Sequence, residues 1–223
     1  MNFFDFIISY GPKFTFAAIT TAQVFVYSSL LAVIISIIFG IMRLSKNLII
    51  QVLATIYIEF YRGTSLIIQM FWIYYVLPLF GIPLPALLAG VLALGMNFGA
   101  YGAEVLRAGI LAVPKGQWEG AHALNFSKAK RMQRIIIPQI YPIILPPAAN
   151  LAVELLKGTA LVSLITLVDL MFVAKQINMM TWLSAQSFGL ALLIYFVMAR
   201  FVLVPFLRWL EILAAKKVGR GKA

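Results

Sequence analysis

The sequence predicts an all-α integral membrane protein with about five transmembrane helices, a long basic loop before the fourth, and a short re-entrant or extracytoplasmic helix before the fifth. Three observations carry that prediction. Hydrophobic residues form 63% of the chain and charged residues 11%, which is more apolar than a soluble core of this size requires. Two runs, 14–42 and 63–103, carry no charge over 29 and 41 residues, enough for one or two crossings each at about 20 residues per crossing. The charges between the apolar runs are mostly basic and clustered, as in loops that stay on the cytoplasmic side of a membrane. A single transmembrane domain, 1–223, is expected.

The first span is placed at 16–42. The segment before it, MNFFDFIISYGPK, carries Asp5 and no early base, unlike a secretory signal, so the N-terminus is expected to be retained. RLSKN separates this span from a second at 52–79, and PLFGIPLP leads into a third at 85–110. In the third, Gly95 and Gly99 form a GxxxG with Gly102 nearby, a small-residue face that lets another helix approach closely. The fourth span, 135–156, opens with Pro138, Pro142, Pro146 and Pro147. Their missing N–H groups leave carbonyls unpaired, which is tolerable against neighbouring helices or along a wet path. Leu161 to Ala174 is too short to cross and carries Asp169 near its middle, so it is expected as the re-entrant or extracytoplasmic helix, with Asp169 facing water. The fifth span is 183–208. With the N-terminus outside, Arg43, Lys46, Lys115, Lys128, Lys130, Arg131, Arg134 and the tail Lys216, Lys217, Arg220 and Lys222 all become cytoplasmic, and Lys13 stays outside.

Three Glu-x-x-base pairs recur: Glu59 with Arg62, Glu104 with Arg107, and Glu154 with Lys157. At i,i+3 each pair shares a helical face, and pairing lowers the cost of carrying charge into a membrane. The first two are expected to be structural. Glu154 stands apart because it precedes the flexible Lys157-Gly158-Thr159 break, where an acid in a cavity could hold a cationic group. Asn97 and Asn150 are amides in apolar surroundings, more often interhelical hydrogen-bonders than ligand contacts.

Several function classes are excluded. The chain has no cysteine and one histidine, His122, so no disulfide, thiolate or metal site is expected. It offers no intramembrane Ser/His, paired-Asp or His-Glu constellation, so no enzyme is expected. The net charge of +11 is accounted for by membrane topology, without basic stretches interleaved with exposed aromatics for nucleic acid.

The loop at about 113–134 is polar and basic where its surroundings are apolar. Gly116 to Leu124 holds good helix formers with Glu119 in the first turns. Asn125 is a plausible left-handed stop, and Ser127 can cap a second short helix through Lys128 to Arg131. Two short helices at an angle make a knob suited to a cleft on a cytosolic partner.

At these residues the chain resembles the EAA signature of ATP-binding-cassette importer permeases, the loop that docks into the ATPase. The signature's Glu-Ala-Ala, a Gly four residues later and a distant Leu-Pro appear as Glu119-Gly120-Ala121, Asn125 and Ile137-Pro138. Gly120 and Asn125 depart from it; Asn also tolerates the left-handed conformation, whereas Gly120 loosens a helix. YIEFYRGTSLIIQMFW (57–72), AYGAEVLRAGI (100–110), VPKGQWEGAHAL and RIIIPQIYPIILPPAAN extend the likeness over most of the chain and point to the polar amino acid branch. Gly158, Ala160 and Ser65, with Ala-Leu-Asn ending at Asn125, look most like the C-type subunit of ectoine/hydroxyectoine importers.

The resemblance implies a multi-pass permease subunit of the bacterial cytoplasmic (inner) membrane, surrounded by lipid. Its partners would be a cytosolic ATPase dimer, a second related permease or a second copy of itself, and an extracytoplasmic binding protein. ATP and Mg would be bound by the ATPase; this chain has no G-x-x-x-x-G-K-[ST] loop. The coupling residues would be Glu119, Gly120, Ala121, Leu124, Asn125 and Pro138. Glu154, Thr159 and Ser163, with Asn97 as a weaker candidate, are nominated for the substrate path. An ordinary polar or cationic amino acid is the alternative cargo. An ATP-independent channel or secondary transporter would have no use for a docking knob.

Overall fold

The structure, a computed structural model, describes residues 2–217, with side chains described as far as Leu213. Its first helix, α1 (Phe3–Arg43), is continuous over 41 residues. At 1.5 Å per residue it is about 61 Å long, about twice the thickness of a hydrocarbon core. The charge-free window therefore undercounts it. Phe6 and Phe14 extend the helix beyond the expected span because, with Ala17, they are buried against Leu170, Val173, Ala174, Ile177, Leu190 and Ala191, a contact that hydropathy does not register.

α2 (Leu48–Gly63) begins where the Asn47 side chain accepts the Ile49 N–H at 2.9 Å. The expected second span, 52–79, is not one helix. After Gly63 the chain bends by 104° into α3 (Leu66–Phe71), a π turn at Trp72–Val76 and a 3-10 turn at Leu77–Phe80. A break among apolar helices survives only if the freed carbonyls find donors. Two buried amides supply them. Gln69 Nε2 donates to the Tyr61 carbonyl at 3.0 Å and the Thr64 hydroxyl at 2.6 Å, and Asn97 Nδ2 donates to the Tyr61 carbonyl at 2.9 Å and Gln69 Oε1 at 3.0 Å.

α4 (Ala86–Leu111) matches the expected third span and lies parallel to α1, with Gly95 against Leu31, Gly99 against Ile35 and Gly40 against Ala103 and Leu106. A Cβ at Gly99 would stand 2.5 Å from Ile35 Cγ2, so the GxxxG is a contact surface. Two short helices follow, α5 (Lys115–Ala123) and α6 (Lys128–Arg131), and a π turn at Met132–Ile136 leads into α7 (Ile137–Gly158). α7 runs antiparallel to α4: Ile144 packs at Gly109, and Gly158 at Leu94 and Phe98.

Leu161–Ala174 does not form a helix of its own. A 3-10 turn at Thr159–Ile165 ends in a left-handed Thr166 (φ 64°), and the short helix comes later, as α8 (Leu170–Thr181). Asp169 is the N-cap of α8, accepting the Phe172 N–H at 2.8 Å, and is fully buried. That corrects the expectation that it faces water: the cap requires the carboxylate at the helix end, and the helix end is inside. α9 (Ser184–Val197), a π turn at Met198–Leu203 and α10 (Val204–Lys217) complete the chain. The side chains of Lys216, Lys217, Arg220 and Lys222 lie outside the described residues. Among the described residues four helices are long and apolar enough to cross a membrane, and the bent second pair makes five.

Candidate functional site

The α5–α6 knob is built on a buried base. Ile110, Val113, Ile136 and Ile140 form a small core on which Trp118 and Met132 pack. Gln139 Nε2 donates to Gln117 Oε1 at 3.0 Å, tying the first turn of α7 to α5. Pro138 follows directly on the π turn, inside the continuous helical run Lys128–Ile165, where its missing N–H frees a carbonyl. The guanidinium of Arg131 lies 5.8 Å over the Trp118 ring, and the Lys130 ammonium 4.5 Å over Phe126.

α5 stops as its sequence implies. Asn125 is left-handed at φ 53°, its N–H donates to the His122 carbonyl, and the Phe126 N–H donates to the Ala121 carbonyl, the two bonds of a Schellman stop. Ser127 then caps α6, accepting the Lys130 N–H at 3.3 Å. α5 starts one residue earlier than expected, which moves Glu119 to its second turn. Ala121 is buried, Glu119 and Gly120 are exposed, and Leu124 projects with 67% of its surface free.

Of the i,i+3 charge pairs, one forms as expected: Arg107 grips Glu104 at 2.8 Å. Glu59 does not pair with Arg62. Arg43, at the end of α1, reaches Glu59 at 3.7 Å and Glu104 at 3.8 Å, joining three helices. Arg62 lies instead over the Tyr101 ring, 5.3 Å from its centroid. Glu154 and Lys157 are both exposed and make no ion pair with each other. Helix spacing reveals i,i+3 neighbours but cannot reveal that a base from another helix is nearer, which is why Arg43 was missed.

The side of α4 away from α1 is open. Tyr101, Val105 and Ala108 share it, with Tyr101 and Ala108 exposed, bordered by α7 on one flank and by α2 on the other. Along α7, Pro147, Asn150, Glu154 and Lys157 recur at helical spacing and are exposed. Because Gly158 packs at Leu94 and Phe98 while Ile144 packs at Gly109, Glu154 is level with about Ala100 and borders this open face. An uncovered acid at that depth cannot rest against hydrocarbon.

The four path nominees are not brought together. Asn97 is buried and spent on the α2–α3 break. Thr159 is buried, its hydroxyl 2.7 Å from the Leu156 carbonyl and 3.4 Å from the Tyr195 hydroxyl. Ser163 donates to the Ala160 carbonyl at 2.8 Å and accepts from Lys175 at 3.2 Å. Glu154 is the nominee that faces outward. A buried network that sequence reasoning missed lies beside Thr159: the Tyr195 hydroxyl donates to Asp169 Oδ2 at 3.2 Å, and the Leu170 N–H donates to Thr21 Oγ1 at 3.2 Å. Burial pushes the Asp169 carboxyl up to about 6, against the opposing pull of the Phe172 N–H and the other donors around it.

Residues 32–215 match the family of binding-protein-dependent transport system inner membrane components. The chain is 44% identical over 197 residues, 86% of its own length and 82% of the relative's, to a probable amino-acid ABC transporter permease protein of Sinorhizobium fredii. It is 33% identical to the L-cystine transport system permease protein of Bacillus subtilis, over 76% of this chain and 73% of that one. A crystal structure described as an amino acid ABC transporter with histidines superposes with a TM-score of 0.86 at 36% identity, covering 95% of this chain and 98% of the other.

Proposed function

The chain belongs to the family of binding-protein-dependent transport system inner membrane components, and from that premise we propose that it forms the path for a polar amino acid. As a member it is a multi-pass inner-membrane permease of a bacterial ATP-binding-cassette importer. It is not an enzyme; ATP is bound by a partner ATPase, and a binding protein belongs to the system.

The proposed orientation places the N-terminus outside and the knob in the cytosol, where ATPase closure pulls on α5 and α6. Leu124 fills an apolar pocket of the ATPase, Ala121 and Asn125 hold the turn, Glu119 orients it, Gly120 leaves it room, and Pro138 transmits the pull into α7. The observation that carries this reading is the large apolar Leu124 held outward on a knob whose base is rigidly packed. A second permease subunit, related or identical, covers the open face of α4 and α7, and Glu154 there meets the ammonium or other cationic group of the cargo.

The relatives are permeases named for amino acids and for L-cystine, and they support an amino-acid cargo better than ectoine. Gly158 and Ala160 beside the break are what favour ectoine, whose cyclic amidine would also suit Glu154. Reconstituted uptake decides: labelled L-glutamine, L-histidine and L-cystine are tested against ectoine with the complete complex. Import of one of the three is expected, and import of ectoine alone would reverse the assignment. Glu154→Gln should lower uptake at least tenfold in a complex that assembles and hydrolyses ATP normally; unchanged uptake would remove Glu154 from the path.

A further inference from the structure

An amino acid carries two charges, and Glu154 answers one of them. We infer that Arg62, at the elbow of the broken second span, is the anion-binding point that holds the cargo's carboxylate. This rests on the amino-acid reading above.

Depth is the first argument. The Arg62 guanidinium lies over Tyr101, which is 15 residues from the first residue of α4 and 10 from its last, about 22 Å and about 15 Å along the axis. Arg62 is itself 14 residues from the start of α2, about 21 Å at the same rise. Both estimates put it inside the span, about one helical turn deeper than the Arg43–Glu59–Glu104 cluster. A guanidinium exposed there does not face hydrocarbon; it faces a wet path or another polar group.

Charge is the second argument. Around the elbow stand three arginines, Arg43, Arg62 and Arg107, and two glutamates, Glu59 and Glu104. Arg43 and Arg107 take up both carboxylates. Arg62 has no carboxylate within ion-pair distance among the described residues, and its contact is the face of an aromatic ring. Arg62 is therefore exposed and makes no ion pair, though it is close enough to Glu104 to interact with its charge through space. Arginine's planar fork is the side chain best matched to a carboxylate.

Position is the third argument. Tyr101, under Arg62, belongs to the open stripe of α4, and Glu154 borders the same stripe level with about Ala100, within one helical turn. The Phe98 and Tyr101 rings are 6.5 Å apart. One acid and one base thus stand at nearly the same depth on a single uncovered face. The bend that exposes Arg62 is itself held by Gln69 and Asn97, so the elbow presents the guanidinium from a fixed backbone.

The test uses the purified complex of permeases, ATPase and binding protein. Labelled L-glutamine, L-histidine and L-cystine identify a cargo by uptake, and its binding to the permease–ATPase complex without binding protein gives a Kd. Arg62→Gln is expected to raise that Kd at least tenfold and to lower uptake in proportion, while binding-protein-stimulated ATP hydrolysis continues. Arg62→Lys should fall between. Lys157→Gln, which removes the other exposed cation near Glu154, should change the Kd less than threefold. The methyl ester of the cargo, lacking the carboxylate, should bind wild type and R62Q with equal weakness. The inference is overturned if R62Q binds and imports like wild type. It is also overturned if R62Q separates the permease subunits on purification, which would give Arg62 a protein carboxylate as its partner. A wild-type complex that carries none of the three amino acids overturns the amino-acid reading itself.

Discussion

Gly99 shows how much one missing atom decides in this fold. Its Cα hydrogens meet Ile35 on α1, and a Cβ there would sit 2.5 Å from Ile35 Cγ2 and 2.7 Å from Ile35 Cβ. Overpacking of this kind costs about 1 to 3 kcal/mol or more. Gly99→Val is therefore expected to lower the Tm of the detergent-purified protein by several degrees, and thermal unfolding monitored by intrinsic fluorescence checks it. Asp169 makes a different point. Burial raises its folded-state pKa to about 6, above the unfolded value of about 4, so the protonated form favours the folded state. That contribution is complete below about pH 4 and is lost as pH rises through about 6. Asp169→Asn keeps an oxygen to cap α8 and removes the titration. Thermal scans from pH 4 to 7 should show stability falling in wild type relative to the variant, whose profile is flatter; parallel profiles would refute a raised pKa.

Among the elements, the α5–α6 knob was readable almost residue by residue. Asn125 as left-handed stop and Ser127 as cap follow from local chemistry, because both act on backbone groups two or three residues away. The long span α4 was equally legible, since twenty-odd apolar residues without a break have one outcome in a membrane. What hid from the sequence depends on partners far along the chain. The 104° elbow of α2 is stabilised by Gln69 and by Asn97, 36 residues from the carbonyl it satisfies. Arg43's grip on Glu59 and Glu104 needs three helices in place, and Asp169's burial needs α1 and α9. Thr159 and Ser163 drew notice as hydroxyls near a break, and the 3-10 turn uses both internally.

Two substitutions probe the knob. Leu124→Asp removes an exposed side chain, so stability should change by less than about 0.5 kcal/mol, while ATPase recovered by co-purification falls at least tenfold. Asn125→Val forces a branched side chain into the left-handed region at about 1 to 2 kcal/mol. Increased hydrogen exchange in α5 would register it, and Asn125→Gly should leave exchange unchanged.

At the scale of the whole molecule, most faces are closed and one is not. Its α1–α4 seam is closed by glycines, its far end is closed by Phe6 and Phe14 against α8 and α9, and its knob is closed by a small aliphatic core. The face of α4 and α7 is left open, bordered by the exposed Glu154 of α7 and the exposed Arg62 of α2. The proposed coupling of the knob to an ATPase, together with an open face bordered by charge, is what a driven importer requires, and a passive channel has no use for the first. Proteoliposomes containing the purified permeases and ATPase, supplied with binding protein and a labelled polar amino acid, test that most directly. Uptake is expected to require both ATP and binding protein and to collapse in L124D. Equal uptake without ATP, or in L124D, would contradict coupling through the knob.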